Sequence, residues 1–323
     1  MSSTPAPQVR ENALPPEFVS RLRQIVPEES FPEILASFER PKRTIFRVNR
    51  LKITPDALEK ELKSAGLHPI PFPSLEGVFT LPDDERRRLT ETPAFYEGRL
   101  YIQNPSSMLA PLLLDPQPGE SVLDLAAAPG GKTLLLASMM QNRGILSAVE
   151  PVTERYHRLR RNLENAGATM VRTYRKDGRG VGRACPLMFD RVLLDAPCSS
   201  EAKFSTLRPQ SFSYWSLRKV KESQRLQKRL ILSAWESLKP GGTLLYSTCS
   251  FAPEENEEVV AHLLKKFPES ARVVPMKLPI DRWQEGLRQW GKKSFPPSFS
   301  SLRRILPDEN FDGFFLAKIV KNV

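Results

Sequence analysis

The chain has 323 residues, with 48 Lys and Arg against 37 Asp and Glu, a net charge of +11, and 40% apolar residues. That apolar fraction supports a packed core of one large or two small domains and excludes a disordered tail protein. Three cysteines exclude a disulfide framework and fit a reducing compartment, and the lack of an 18-residue apolar run excludes a membrane-spanning helix. The opening MSSTPAPQVRENALPP has no apolar stretch of the kind a secretory signal needs, so a cytoplasmic protein is expected. Residues 1–15 are Pro/Ser-rich and read as a flexible N-terminus. Phe18, Leu22 and Ile25, then Phe31, Ile34, Leu35 and Phe38, recur at helical spacing, broken at Pro27 and Pro32. IFRVNRLKI (45–53) alternates as a strand, Thr54 and Pro55 open a helix that Gly66 closes, and VFTL (78–81) reads as another strand. Residues 16–100 therefore form a small α+β domain.

From residue 101 the pattern changes to strands alternating with helices. Strands are expected at 121–126, 144–150, 170–177, 189–196 and 243–250, and helices at 132–140, 153–167, 216–238 and 256–267. The strands are continuous apolar runs, which points to a mostly parallel, doubly wound Rossmann-like sheet over 101–323. Strands at 271–276 and 314–320, with no clear helix between them, suggest an antiparallel pair at one edge. GRGVG (178–182) reads as a loop.

Ligands of such sheets sit at the carboxyl ends of the strands. The first strand runs into DLAAAPGGKT (124–133), where Ala126, Ala127, Ala128, Pro129, Gly130 and Gly131 let the backbone approach a ligand and Lys132 begins a helix. A phosphate-binding loop would match Gly131–Lys132–Thr133 but needs Gly where Ala126 stands. A loop for S-adenosylmethionine explains Glu150 as well, which ends the second strand where an acid can accept ribose hydroxyls. Asp177 ends the third strand, a place to meet an adenine edge. Each acid alone is as readily a helix cap or a solvated strand end; Asp124, Glu150 and Asp177 at successive strand ends favour the cofactor.

The fourth strand ends in DAPC (195–198) and the fifth in STCS (247–250), which puts Cys198 and Cys249 on that same rim; Cys185 reads as a small core residue. Beside a methyl donor a thiolate has a specific use. Added at C6 of a pyrimidine, it turns C5 into a carbon nucleophile, whereas methylation of an amino group needs no thiol. The two cysteines therefore favour carbon methylation. A small-molecule methyltransferase leaves the basic charge unexplained, a non-catalytic ribosome-binding protein leaves the cysteines unexplained, and a nucleotide hydrolase leaves both Glu150 and the cysteines unexplained. Histidines 68, 157 and 262 show no ligand spacing, so no metal is expected.

FRVNRLKI (46–53), YIQNPSSML (101–109), DLAAAPGGKT (124–133), DAPCSSE (195–201), KPGGTLLYSTCSFAPEENE (239–257) and RILPDENFDGFFLAKI (304–319) together resemble the Nop/Sun family of RNA cytosine-5 methyltransferases, in its bacterial ribosomal RNA form. The resemblance implies a catalytic domain that binds S-adenosylmethionine, behind an RNA-facing N-terminal domain. It implies Cys249 as the nucleophile, Cys198 as the cysteine that assists release, and Asp195 at the N3/N4 edge of cytosine near the cofactor. Lys132 falls on a motif lysine. Ribosomal RNA is the expected substrate, transfer RNA the alternative, and a monomer the expected state. Glu254, Glu255, Asn256 and Glu257 read as caps of the following helix. The sequence departs from the family where Ala126 replaces a common Cys, and where Ser200 and Ala202 replace glycines.

The charge is unevenly placed. Residues 1–100 hold 15 basic and 15 acidic side chains, whereas 151–235 hold 18 and 7. Within that basic stretch, Lys203, Arg208, Arg218, Lys219 and Lys221 follow the DAPC strand end, interleaved with Phe204, Phe212, Tyr214 and Trp215. They are the expected RNA contacts, with the aromatic rings available to stack on bases.

Overall fold

The structure, a computed structural model, describes residues 13–322. Helix α1 (Pro16–Ile25) is followed by α2 (Phe31–Ser37). Pro32 opens α2 rather than breaking it, because a first-turn residue has no intrahelical N–H bond to lose. Next come β1 (Thr44–Val48), α3 (Pro55–Ser64), β2 (Ile70–Pro71), β3 (Val78–Leu81), the short helices α4 (Arg86–Thr90) and α5 (Pro93–Tyr96), and β4 (Leu100–Ile102). Thr54 caps α3 by accepting from the Ala57 amide. The strands form an antiparallel sheet in the order β2-β3-β1-β4, with Phe46, Leu58, Leu62, Phe79, Leu81 and Leu100 in its core. Helices α1 and α2 do not join that core. Phe18, Leu22 and Phe38 pack with Ala202, Phe204, Phe251 and Leu306 of the following unit, and the Phe18 and Phe204 rings meet edge-on at 4.9 Å.

The second unit runs through α6 (Pro105–Leu114), β5 (Ser121–Asp124), α7 (Gly131–Met139), β6 (Ile145–Val149), α8 (Thr153–Ala166), β7 (Val171–Tyr174), α9 (Val181–Ala184), β8 (Phe189–Asp195), α10 (Leu217–Ser237), β9 (Leu238–Thr248) and α11 (Glu257–Lys266). It ends with β10 (Ala271–Val273), β11 (Trp283–Glu285), the hairpin β12 (Gln289–Trp290) and β13 (Lys293–Ser294), β14 (Arg303–Ile305) and β15 (Phe314–Lys321). Strands β7, β6, β5, β8 and β9 are parallel in that order, and β15 lies antiparallel beside β9. Apolar clusters fill both faces of the sheet. This is the Rossmann-like architecture read from the strand runs.

Two details differ from the sequence reading. The antiparallel pair β10–β15 is present, but β15 is interior, because β14 and β11 extend the sheet beyond it. Those strands have three residues each and carry Arg303, Arg304 and Glu285, so they show no apolar run; Arg304 is buried against Glu257 instead. GRGVG is a 3-10 turn leading into α9, and a Cβ on Gly182 would sit 2.5 Å from the Ser233 carbonyl oxygen of α10.

Two buried polar side chains join the units. The Asn49 amide donates to the carbonyls of Gly98 and of Ala166 at the end of α8, both at 2.7 Å. Arg47 of β1 donates to Gln103 at 3.0 Å and to the Gly131 carbonyl at 2.8 Å. Burial pulls its guanidinium down to about 10. Asn49→Ala leaves two buried carbonyls without donors. It should lower stability by about 2–4 kcal/mol, read as a drop in denaturant midpoint with an unchanged m-value.

Candidate active site

A cavity of about 370 Å³ opens at the carboxyl ends of β5, β8 and β9. It brings together Ala126, Ala127, Ala128, Pro129, Gly131 and Lys132 with Asp195, Cys198, Cys249 and Lys203. Gly130 lies just outside its lining; its φ of 111° turns the loop into α7. Glu150 and Asp177 are outside it too. Glu150 is buried, accepts from the Val152 amide at 2.9 Å and faces Arg155 at 3.5 Å. Asp177 caps the 3-10 turn and is gripped by Arg179, which holds its carboxyl below the usual range.

Of the three strand-end acids, Asp124 is the one that reaches the cavity. One carboxylate oxygen accepts from Thr133 at 2.7 Å, while the other is buried with no partner, and burial pushes the group up to about 6. An orphaned carboxylate oxygen beside a small-residue loop suits the ammonium group of a cofactor's amino-acid part. Lys132 spans the cavity to Asp195 at 2.7 Å and donates to Ser107 at 2.5 Å; Ser247 donates to the other Asp195 oxygen at 2.9 Å. Asp195 is thus held from the strand beside its own.

The Cys198 and Cys249 sulfurs lie 3.3 Å apart. Two thiols so close cannot both ionise, and their surroundings decide between them. The hydrogen bond from Cys198, aided by the charge of Lys203, holds Cys249 below the usual thiol range. That same hydrogen bond, with burial and the charges of Cys249 and Glu255, pushes Cys198 up. The surroundings thus favour the charged form at Cys249 over Cys198.

Two buried glutamates that the sequence reading assigned no chemistry fix this pair. Glu201, three residues after Cys198, accepts from the amides of Phe251 and Ala252 (both 2.9 Å) and from Ser250 (3.0 Å), all just after Cys249; Trp215 donates to its other oxygen. Glu255, six residues after Cys249, accepts from the Ser199 amide at 2.9 Å and its hydroxyl at 2.5 Å, just after Cys198. Each cysteine loop grips a carboxylate of the other. Glu255 and Asn256 are therefore not helix caps: Asn256 bonds Thr248 and the Ser250 carbonyl, Glu257 pairs with Arg304, and Glu254 pairs with Arg21. The one signal in the sequence was an acid a few residues after each cysteine, Glu201 alone after DAPC and the run from Glu254 after STCS.

Ser200 stands in the left-handed region at φ 59°, and its hydroxyl oxygen accepts from the Cys249 thiol at 3.7 Å; once that thiol is ionised the hydroxyl can turn to donate to the sulfur, which favours the thiolate. Among the expected RNA contacts, Lys203 is in the cavity and Arg208 lines a neighbouring groove. Arg218 and Lys219 pair with Glu222 on α10, and Lys221 is exposed. Phe204 is buried and, with the half-buried Trp215, packs edge-on against Phe18 of α1; the half-buried Phe212 packs on Phe204, and Tyr214 is the exposed ring. Among the described residues no cluster of three His, Cys, Asp or Glu is arranged to hold a metal, and no helix is long and apolar enough to cross a membrane.

Alkylation of the intact protein by iodoacetamide should therefore select Cys249, with a rate that rises with pH and levels off below the free-thiol value of about 8.5. Lys203→Met should move that profile to higher pH. Ser200→Gly should move it the same way without lowering the melting temperature, because glycine relieves a left-handed backbone that costs serine about 1 kcal/mol. An unmoved profile in both variants would contradict these assignments.

Residues 111–320 match the family described as 16S rRNA methyltransferase RsmB/F, and residues 14–105 match the N-terminal domain of 16S rRNA methyltransferase RsmF. The chain is 39% identical to the tRNA (cytosine(49)-C(5))-methyltransferase of Pyrococcus abyssi, over 90% of this chain and 91% of that protein. It is 35% identical to ribosomal RNA small subunit methyltransferase F of Pectobacterium carotovorum, over 95% of this chain but 63% of that longer protein. A methyltransferase homologue from Pyrococcus horikoshii superposes with a TM-score of 0.79 at 34% identity, covering 96% of this chain and 100% of that one. NSun6 from the same organism, solved with SFG, superposes at 0.80 over 97% of this chain and 99% of its own, a likeness of fold at 22% identity. With both units matched and the motif residues gathered around one cavity, the chain belongs to the RsmB/F group of the Nop/Sun family of S-adenosylmethionine-dependent RNA methyltransferases.

Proposed function

We propose that this protein methylates C5 of a cytosine in RNA through a covalent bond between Cys249 and C6. The observation that carries the reading is the pair of thiols of opposite acidity, 3.3 Å apart, in the cavity floored by the DLAAAPGGKT loop. When bound, S-adenosylmethionine supplies an electrophilic methyl group. The residues that would hold it are the 126–131 loop and Asp124, whose free oxygen is the acceptor available to an ammonium group; Glu150 and Asp177 are its proposed ribose and adenine partners.

The rest is done by the chain's own groups. The Cys249 thiolate adds to C6, and the C5=C6 electron pair becomes available for attack from C5. Asp195, fixed by Lys132 and Ser247, meets the N3/N4 edge and orients the ring. Once C5 carries the methyl group, its proton leaves to solvent and the sulfur–C6 bond breaks, returning Cys249 as a thiolate. Cys198 keeps its proton and donates a hydrogen bond to the departing sulfur, which makes Cys249 a better leaving group.

Small-subunit ribosomal RNA is the proposed substrate, on the strength of both family matches. Transfer RNA is the second reading, favoured by the relative whose length this chain nearly spans. Incubation with labelled cofactor and either RNA, followed by nucleoside analysis, separates them. In these assays Cys249→Ala should give neither 5-methylcytosine nor a protein–RNA adduct. Cys198→Ala should accumulate an adduct that survives denaturing electrophoresis, because addition proceeds and release stalls. Methylation retained in Cys249→Ala would overturn the nucleophile.

A further inference from the structure

We propose that the RNA strand reaches the catalytic cavity through a groove between the two units and that its phosphates are held by Arg40, Arg43, Arg86 and Arg208 rather than along helix α10. The inference rests on the RNA reading above and assigns its track.

A groove of about 910 Å³ runs between the segment before β1, with Asp83 and Arg86, and the 202–211 loop. It shares Ile102, Gln103, Asn104, Lys203 and Asp312 with the catalytic cavity, so the two form one continuous depression. Six cations line it, Arg40, Lys42, Arg43, Arg86, Lys203 and Arg208, against two acids, Asp83 and Asp312. Lys42 is already occupied: it donates to the carbonyls of Asp308 and Phe311 at 2.7 and 3.1 Å and pairs with Asp312 at 3.6 Å. Burial pushes the Asp312 carboxyl up from its ordinary value, and Lys42 pairs with its charge.

The four arginines share one setting. Among the described residues, none of their guanidinium groups makes a hydrogen bond or ion pair. Arg161, Arg172, Arg183, Arg225, Arg229 and Arg272 make no ion pair either; what distinguishes the four is that they line one groove continuous with the catalytic cavity. Many other arginines are answered by nearby acids. Arg87 bonds Glu91 at 2.9 Å and Arg88 bonds Glu85 at 3.0 Å, so Arg86 is the unmatched member of its run. Arg158, Arg160 and Arg218 likewise pair with Glu154, Glu164 and Glu222. The segment count hides this: residues 1–100 are neutral in sum, yet Arg40, Arg43 and Arg86 make no ion pair, while the excess of 151–235 already counts the acids on its own helices. Four unpaired guanidinium groups along one groove repel one another until an anion with regularly spaced charge lies between them. A phosphodiester backbone is that anion, and the planar fork of arginine matches phosphate oxygens. The groove leads to a thiol cavity that admits a single base, so the strand must be unpaired or have its target base extruded there. Leu207, 59% exposed at the groove, offers an apolar surface to a neighbouring base.

The test uses the full chain and a fluorescent single-stranded RNA containing cytosines, titrated over a range of salt. Each lost phosphate contact removes about 0.7 from the slope of log affinity against log salt. The fourfold variant Arg40→Gln, Arg43→Gln, Arg86→Gln, Arg208→Gln should therefore flatten the slope by about 3 and weaken binding at low salt, with an unchanged melting temperature. Arg218→Gln with Lys219→Gln should flatten it by less than 1. A fourfold variant with the wild-type slope, or an α10 variant that loses more, overturns the track, as does an acidic peptide that binds the groove while RNA does not. Methylation is scored separately on wild-type protein: absence of 5-methylcytosine there defeats the functional reading, whereas methylation with an unchanged KM for RNA in the fourfold variant defeats only the groove.

Discussion

Everything at the catalytic rim depends on the exchange of buried carboxylates between the two cysteine loops. Parallel pairing of β8 with β9 sets Asp195 opposite Ser247 and so delivers both loops to one edge. Strand register alone leaves loops free to diverge. Glu201 and Glu255 prevent this, because each sits in the loop after one cysteine and draws its donors from the loop after the other. A carboxylate removed from water is tolerated only where its oxygens are saturated by donors, so the two loops are held in the one arrangement that saturates both. A backbone bond from Ala202 to the Cys249 carbonyl at 3.1 Å adds to the same seam. The clamp is under electrostatic strain: burial and the charge of Glu255 lift Glu201 to about 7, against its four hydrogen bonds.

That strain has a use for the thiols. The negative charge of Glu255 falls on the Cys198 side, and the positive charge of Lys203 on the Cys249 side. Two chemically identical groups thereby stand in surroundings that shift their acidities in opposite directions. Helices α1 and α2 belong to this arrangement although they are distant in sequence. Their aromatic face covers Phe204 and Phe251, which follow Lys203 and the Cys249 strand respectively, so the first helices brace the loops that carry the charge pattern.

The parallel sheet, its helices and the order of its strand ends were legible, because most of its strands are apolar runs and its helices keep helical apolar spacing. The cysteines and Asp195 were legible for the same reason: they sit directly at strand ends, where topology fixes their neighbours. What escaped the sequence was long-range polar pairing. Glu255 next to a helix start looks like a cap until its donors, 56 residues away, are known. Phe204 and Trp215 among lysines look like a stacking platform until α1 is found lying on them. Arg303 and Arg304 hid two strands, since an arginine buried against a glutamate has no apolar signature. Net charge by segment is silent on a related point, because it counts charges and not which cations have partners.

Arg47 ties β1 of the N-terminal unit to the carbonyl of Gly131, where the cofactor loop turns into α7. A guanidinium buried deeply enough to lose acidity margin is a stiff strut rather than a tether. One end belongs to the sheet of the N-terminal unit and the other meets the first residue of α7. A shift of that sheet is therefore carried to the loop that precedes α7. The strut makes the seating of one unit and the shape of a loop in the other a single property of the packing.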